Sequence, residues 1–224
     1  MGIFGRADLA WSAGCLGIDH HKLTSRQLYA EMSFSILASG FRVETVNKKW
    51  QIFSEIFHNW NLDELFEKSN LVGCMTGGVA LKDLRILEGA LHIFNNKRKV
   101  NAILWNGTRL FLIESEGRWP QVRAGIYEDV DTLKQFIYIG DILKYHIARN
   151  IGIDTIKPDL HIKRIAEHYD LDPFEMAKDL SKHFKIPEHT VDTILWRYGE
   201  RGLIEEFWMP KSDDFTHTTA SNPF

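Results

Sequence analysis

Apolar residues recur along this chain at spacings of three and four, and stretches of strict alternation are few, so the periodicity predicts a mainly α-helical fold. Thr24 or Ser25 is placed to cap a first helix carrying Leu28, Met32, Ser35 and Ile36. A second helix is expected from Glu44 to His58. Gly73, Gly77 and Gly78 break the chain before a helix near Leu81 to Phe94, and another follows from about Val100 to Ser115. The run Leu110-Phe111-Leu112-Ile113 reads as the end of that helix rather than as a strand. Pro120 to Gly125 is expected to be loop, and Thr132 to Phe136 a short helix. Pro173 and Pro187 punctuate two last core helices, and Pro210 to Phe224 is a polar tail expected to be flexible.

Two segments stand out from this pattern. In Lys157-Pro158-Asp159-Leu160-His161-Ile162-Lys163-Arg164-Ile165, Pro158 disfavours helix at Lys157, and Asp159 is a strong N-cap residue. Leu160, Ile162, Ile165 and Ala166 then turn one face of a helix inward. Upstream, Phe136-Ile137-Tyr138-Ile139-Gly140-Asp141-Ile142-Leu143-Lys144-Tyr145-His146-Ile147-Ala148 reads as a tight hairpin bending at Gly140, with a helix after it.

Together these segments resemble the helix-hairpin-helix DNA glycosylase superfamily, in particular its endonuclease III and 3-methyladenine glycosylase branches. The family pattern Asp-x-His-apolar-x-Arg-apolar is filled by Asp159, His161, Ile162, Arg164 and Ile165, and Asp159 follows Gly140 by 19 residues, close to the family spacing. Ile36 to Lys48 resembles the family's early helix-loop-helix, Lys97 to Leu104 its basic entry to a middle helix, and Val191 to Gly199 its closing Val-Asp helix. The likeness spans roughly residues 24 to 200. It departs at the hairpin, where Tyr138 stands for the first glycine of Leu-Pro-Gly-apolar-Gly and Ile137 for its proline. It departs again at Ile142, where bifunctional members carry a lysine nucleophile.

The resemblance implies two helical lobes around a DNA-binding cleft, with a helix-hairpin-helix motif. It implies an N-terminal segment over residues 1–23, the glycosylase domain over 24–209 with its hairpin at about 133–150 and its catalytic helix from 159, and a tail over 210–224. It also implies roles. Asp159 is the catalytic carboxylate, stabilising positive charge on the sugar as the glycosidic bond breaks. Gly140, with Ile139 beside it, presents backbone amides to a phosphate, at a hairpin that in the family often holds a monovalent cation. Phe41 is the wedge that fills the space of an extruded base, and Arg42 a contact to DNA. Lys97, Lys99 and Lys144 are further DNA-binding residues, and Lys144 is the alternative Schiff-base nucleophile of a lyase. Ser35, Ile142, Tyr145, His146 and Trp105 are expected to line the base pocket. Ser35 sits where 3-methyladenine glycosylases place a base-reading glutamate. His161 supports the Asp159 helix. For each residue the plain alternative is structural: a helix cap for Asp159, core packing for Phe41, a solvated face for the lysines.

Composition constrains this picture. Two cysteines, Cys15 and Cys74, cannot form a four-cysteine iron-sulfur loop or a disulfide framework, so no cluster and a reducing cytoplasm are expected. Ten histidines show no zinc-ligand spacing. No apolar run reaches membrane-spanning length, and the first ten residues lack the apolar core of a signal peptide. The net charge of −3 is low for a DNA binder, so binding would depend on the local clusters Lys97-Arg98-Lys99 and Lys157, Lys163, Arg164. The expected activity is monomeric and monofunctional: excision of a damaged or modified base from double-stranded DNA, leaving an abasic site. An alkylated or oxidised purine would place the enzyme in DNA repair, and a modified phage pyrimidine in phage defence. The competing readings are a bifunctional glycosylase and lyase, a non-catalytic DNA-structure module, and a helical protein-interaction domain.

Overall fold

The computed structural model describes residues 20–68 and 79–200. The glycine breaks at 73, 77 and 78, both cysteines at 15 and 74, and the polar tail at 210–224 lie outside the described residues. The described chain is mainly helical. In order it forms α1 (Ser25–Ala38), α2 (Val43–Ile56), α3 (Leu62–Leu65), strands β1 (Phe66–Lys68) and β2 (Val79–Leu81), and α4 (Arg85–Ile93). It continues through α5 (Lys97–Ser115), α6 (Trp119–Glu128), α7 (Leu143–Asn150), α8 (Leu160–His168), α9 (Pro173–Phe184) and α10 (Glu188–Glu200). Short 3-10 turns cover His20–Lys22, His58–Trp60 and Val130–Gln135. The described residues fall into two compact units that divide between Asp154 and Thr155, each with its own core.

In the first unit α1 is the central element, packed by α2, α5 and α7. Thr24 caps it through a capping box, accepting the Gln27 amide while Gln27 reaches back to the Thr24 amide. Leu28, Tyr29, Met32, Ile36 and Leu37 are fully enclosed, so this helix is buried on nearly every side. An aromatic cluster of Tyr29, Trp50, Phe53, Phe57 and Trp60 fills the space against α2. In the second unit α8 and α9 both pack on α10, around Ile156, Ile162, Ala166, Met176 and Val191.

Several elements differ from the sequence expectation. The helix expected from Leu81 starts only at Arg85, because Leu81 pairs with Phe66 in a two-stranded antiparallel ribbon. The segment 120–125, expected as loop, lies inside α6: Pro120 stands in its first turn, where a missing amide costs no hydrogen bond. The first arm of the hairpin is a 3-10 turn rather than an α-helix, started by Asp129 accepting the Asp131 amide. The last residues of the expected N-terminal segment belong to the first unit: Leu23 is core, and Arg123 Nη1 donates to the carbonyls of His21 (2.7 Å) and Leu23 (3.4 Å).

Gly107, in the middle of α5, lies close against Tyr29 of α1 and Phe66 of β1. A β-carbon there would lie 2.5 Å from Tyr29 Cζ and 2.8 Å from Phe66 Cε2. In an open helix, Gly→Ala adds about 1 kcal/mol of stability. Here Gly107→Ala is expected to cost about 1–3 kcal/mol from overpacking, read as a lower urea midpoint at unchanged slope.

Candidate nucleic-acid interface and catalytic carboxylate

The loop between α1 and α2 turns at Gly40, whose φ of +96° is a conformation that glycine adopts without strain. It presents Phe41 and Arg42. Arg42 is exposed at the start of α2, whereas Phe41 is half-buried, its ring 5.8 Å from that of Phe94. The wedge expected at Phe41 therefore rests against the core here.

Behind this loop lies the start of α5. Asn96 caps the helix by accepting the Lys99 amide, and no acidic residue occupies the first turn. Lys97 and Arg98 are exposed there. Cations at a helix N-terminus work against the macrodipole, so this end of α5 is strongly electropositive. Lys99 points the other way. Only 3% exposed, it donates to the carbonyls of Leu37 (2.9 Å) and Ser39 at the end of α1. Its ammonium also lies 4.5 Å from the Phe41 ring centre and 5.9 Å from that of Tyr138. The phosphate contact expected of Lys99 is thus corrected: it is an inward-facing clamp, because the carboxyl end of α1 offers free carbonyls that a cation satisfies. Burial pushes its pKa down to about 8.

The hairpin turn lies along α5. Asn106, buried on α5, binds both polar groups of Ile137: Nδ2 donates to its carbonyl (2.9 Å), and Oδ1 accepts its amide (2.7 Å). The left-handed residue of the turn is Tyr138 (φ 75°), not Gly140. Tyr138 thus has left-handed backbone at the position where the resembled motif carries its first glycine. Arg98 stacks over its ring at 5.4 Å. Gly140 is exposed with open space where a β-carbon would stand, and its carbonyl accepts the Lys144 amide that begins α7. The Ile139 side chain is core, leaving only its backbone for a ligand.

Lys144 also departs from expectation. Its side chain is 7% exposed and ion-paired to Asp131, with Asp141 at 3.6 Å. Lys134 completes the network at 2.5 Å from Asp141 and 3.2 Å from Asp131. The carboxyl groups of Asp131 and Asp141 are held below the usual range, Asp131 mainly by Lys144 and Asp141 mainly by Lys134. Lys144 therefore ties the 3-10 arm of the hairpin to α7 instead of reaching outward.

Of the expected pocket residues, Ser35 is fully buried and its hydroxyl donates to Glu31 Oε1 (2.9 Å). Asn150 Nδ2 on α7 donates to the same oxygen (2.7 Å). Ser35 and the helix carrying Tyr145 and His146 are thereby joined through Glu31. Ile142, Tyr145 and His146 are half-buried, with the Lys144 ammonium 4.6 Å from the Tyr145 ring centre. Trp105 is 44% exposed on α5. Trp50 and Trp60 belong to the aromatic cluster beneath α1.

In the second unit Asp159 caps α8: its Oδ1 accepts the amides of His161 (3.0 Å) and Ile162 (3.3 Å). Its Oδ2 lies 3.6 Å from Lys157 Nζ. Asp192, 1% exposed on α10, fixes the preceding turn by accepting the Lys157 amide (2.8 Å). His161 packs against Gly199, where a β-carbon would come 2.6 Å from its own.

The sequence assigns no role to Glu31, Asn106, Asn150 or, beyond its place in the closing Val-Asp helix, Asp192. A signal existed for two of them: Asn106 interrupts the apolar stripe Ala102, Ile103, Leu110, and Glu31 shares a helix face with Ser35. Among the described residues, no group of three His, Cys, Asp or Glu is placed to hold a metal ion, and no helix is long and apolar enough to cross a membrane. Comparison with protein-family models, curated proteins and solved structures finds no match.

The lowered pKa of Lys99 has a defined consequence. Between about pH 8 and the ordinary lysine value of 10.5 the unfolded chain holds this proton more tightly than the folded one. Stability therefore rises with pH across that window. From pH 7.5 to 10 the wild type should gain on the order of 2 kcal/mol relative to Lys99→Met, measured by urea unfolding at both pH values.

Proposed function

We propose that this protein is a monofunctional DNA glycosylase of the helix-hairpin-helix type. It extrudes a damaged or modified base from double-stranded DNA and hydrolyses its N-glycosidic bond. The observation that carries the reading is the convergence at Lys99. The Gly40-Phe41-Arg42 loop, the basic start of α5 and the hairpin turn are distant in sequence, yet all three touch this one ammonium or its immediate partners. A wedge, a phosphate-attracting surface and a backbone-gripping turn side by side are what base extrusion requires.

The roles follow from the chemistry. Arg98, Lys97 and the backbone at exposed Gly140 attract phosphates. Phe41 leaves its seat on Phe94 to fill the gap in the base stack, and Arg42 follows the strand. Asp159 faces the sugar with the oxygen that its helix does not use. As the C1′–N bond breaks, the base leaves with the bonding pair, and the carboxylate stabilises the cationic sugar. A water oriented by Asp159 adds its oxygen to C1′, and its proton ends on the departing base. Lys144, its side chain 7% exposed and turned toward Asp131 and Asp141, does not reach outward to a sugar; this favours the monofunctional reading over the lyase.

Asp159→Asn preserves a side-chain acceptor for the cap, so it is expected to keep the fold and DNA affinity while excision falls about a hundredfold or more. The assay is abasic-site formation on a panel of lesion-bearing oligonucleotides, with borohydride trapping run alongside. Excision at the wild-type rate in this variant would remove Asp159 from the chemistry, and a trapped covalent species would restore the lyase. Arg98→Ala should weaken DNA binding on all sequences and reduce the slope of log affinity against log salt by about one. Absence of any salt-dependent DNA shift in the wild type would leave the protein-interaction reading standing.

A further inference from the structure

The outer face of α5 leaves one large ring unused. Trp105 is 44% exposed there, and among the described residues its ring meets no other aromatic ring and no cation, whereas Trp50 and Trp60 stack in the core. At 3.6 residues per turn, positions 98, 105 and 109 fall within about 40° of one another around the helix axis, so Arg98, Trp105 and Arg109 form one stripe. Both arginines are exposed, and neither has a carboxylate partner among the described residues. Arg98 lies over the Tyr138 ring, and Arg109 Nη2 donates to Gln135 Oε1 (3.2 Å), so neither guanidinium covers the indole. The only acid on α5, Glu114, sits at the far end of the helix and accepts the Ser25 hydroxyl. The hairpin's own acids, Asp131 and Asp141, are already paired to Lys134 and Lys144. A single exposed aromatic is ordinary. What distinguishes this one is its setting between two cations that no acid neutralises.

We propose that this stripe binds a single-stranded segment of DNA, with an unpaired base stacked on Trp105 and the phosphates on either side held by Arg98 and Arg109. The chemistry selects the occupant. Phosphates supply the negative charge that the two arginines lack, and every base offers a π-face to an indole. In a duplex those faces are covered by the neighbouring pairs, so a ring on an open helix face finds a base only where the strand is unpaired. The two arginines stand about 16 Å apart along the helix, room for several nucleotides at the roughly 3.4 Å rise of a stacked strand. Such contacts carry no sequence information, because every nucleotide offers the same phosphate and a stacking face. The choice of DNA over RNA rests on the glycosylase reading, but the stripe depends neither on Asp159 nor on excision.

The test is fluorescence anisotropy of a labelled single-stranded oligothymidylate titrated with the full chain over a range of salt. Wild type should bind, and its affinity should fall steeply as salt rises. Trp105→Ala should bind about tenfold more weakly, whereas Trp105→Phe, which keeps a ring, should hold most of the affinity. Arg109→Ala should reduce the slope of log affinity against log salt by about 0.7, the single-strand value for one phosphate contact. No binding by wild type, wild-type affinity in Trp105→Ala, or equal losses in Trp105→Ala and Trp105→Phe would each overturn the proposal. Polyglutamate or oligouridylate displacing the label more readily than unlabelled oligothymidylate would also overturn it, and would assign the stripe to an acidic protein or to RNA. Lesion-oligonucleotide excision is measured in parallel on duplex DNA. Single-strand binding through Trp105 without excision leaves the stripe standing and removes the glycosylase reading. Excision with single-strand affinity unchanged in Trp105→Ala does the reverse.

Discussion

A buried ammonium organises the first unit. The end of α1 leaves carbonyls that nothing else in the helix can satisfy, and the Lys99 side chain supplies the donors. That requirement draws the first turn of α5 under the α1–α2 loop and brings the hairpin turn against the same helix, since Asn106 holds Ile137 two turns further along α5. A lysine enclosed to this extent carries a desolvation cost, visible in its lowered pKa. Carbonyl dipoles and two aromatic faces offset part of it. The outcome is a division of labour within three consecutive residues, with Lys97 and Arg98 exposed and Lys99 turned inward.

The hairpin is held by charge rather than by glycine. Tyr138 adopts the left-handed conformation at a cost that a glycine would avoid. Its position is fixed from three directions: the Asn106 clamp before it, Arg98 over its ring, and the Lys134-Asp141-Lys144-Asp131 network after it. A turn specified in this way needs neither glycine nor proline because the surroundings over-determine its backbone.

In the second unit two carboxylates fix the start of one helix. Asp159 gives one oxygen to the first amides of α8, and Asp192 anchors the preceding turn from α10. The two acids act in series. One orients the peptide, the other caps the helix, and Oδ2 of Asp159 is left beside Lys157 with no amide to accept.

Local rules settled much of this chain without tertiary help. The caps at Thr24 and Asp159, the helical periods of α1, α2, α5, α8, α9 and α10, and the helical reading of 110–113 are written within a few residues of where they act. The misreadings share one cause, which is that the deciding partner is distant. Leu81 becomes strand because Phe66 pairs with it, Pro120 opens a helix instead of a loop, and Lys144 turns inward because Asp131 waits there. The run Asp159, His161, Ile162, Arg164, Ile165 is legible in the sequence, as is the helix face that Glu31 shares with Ser35. Which lysine is exposed, which acid is enclosed, and whether a buried asparagine clamps a turn are set only by packing. A charged side chain takes whichever partners desolvation leaves it, and besides a neighbour on its own helix or turn Lys144 finds Asp131, 13 residues away, and Glu31 finds Asn150, 119 residues away.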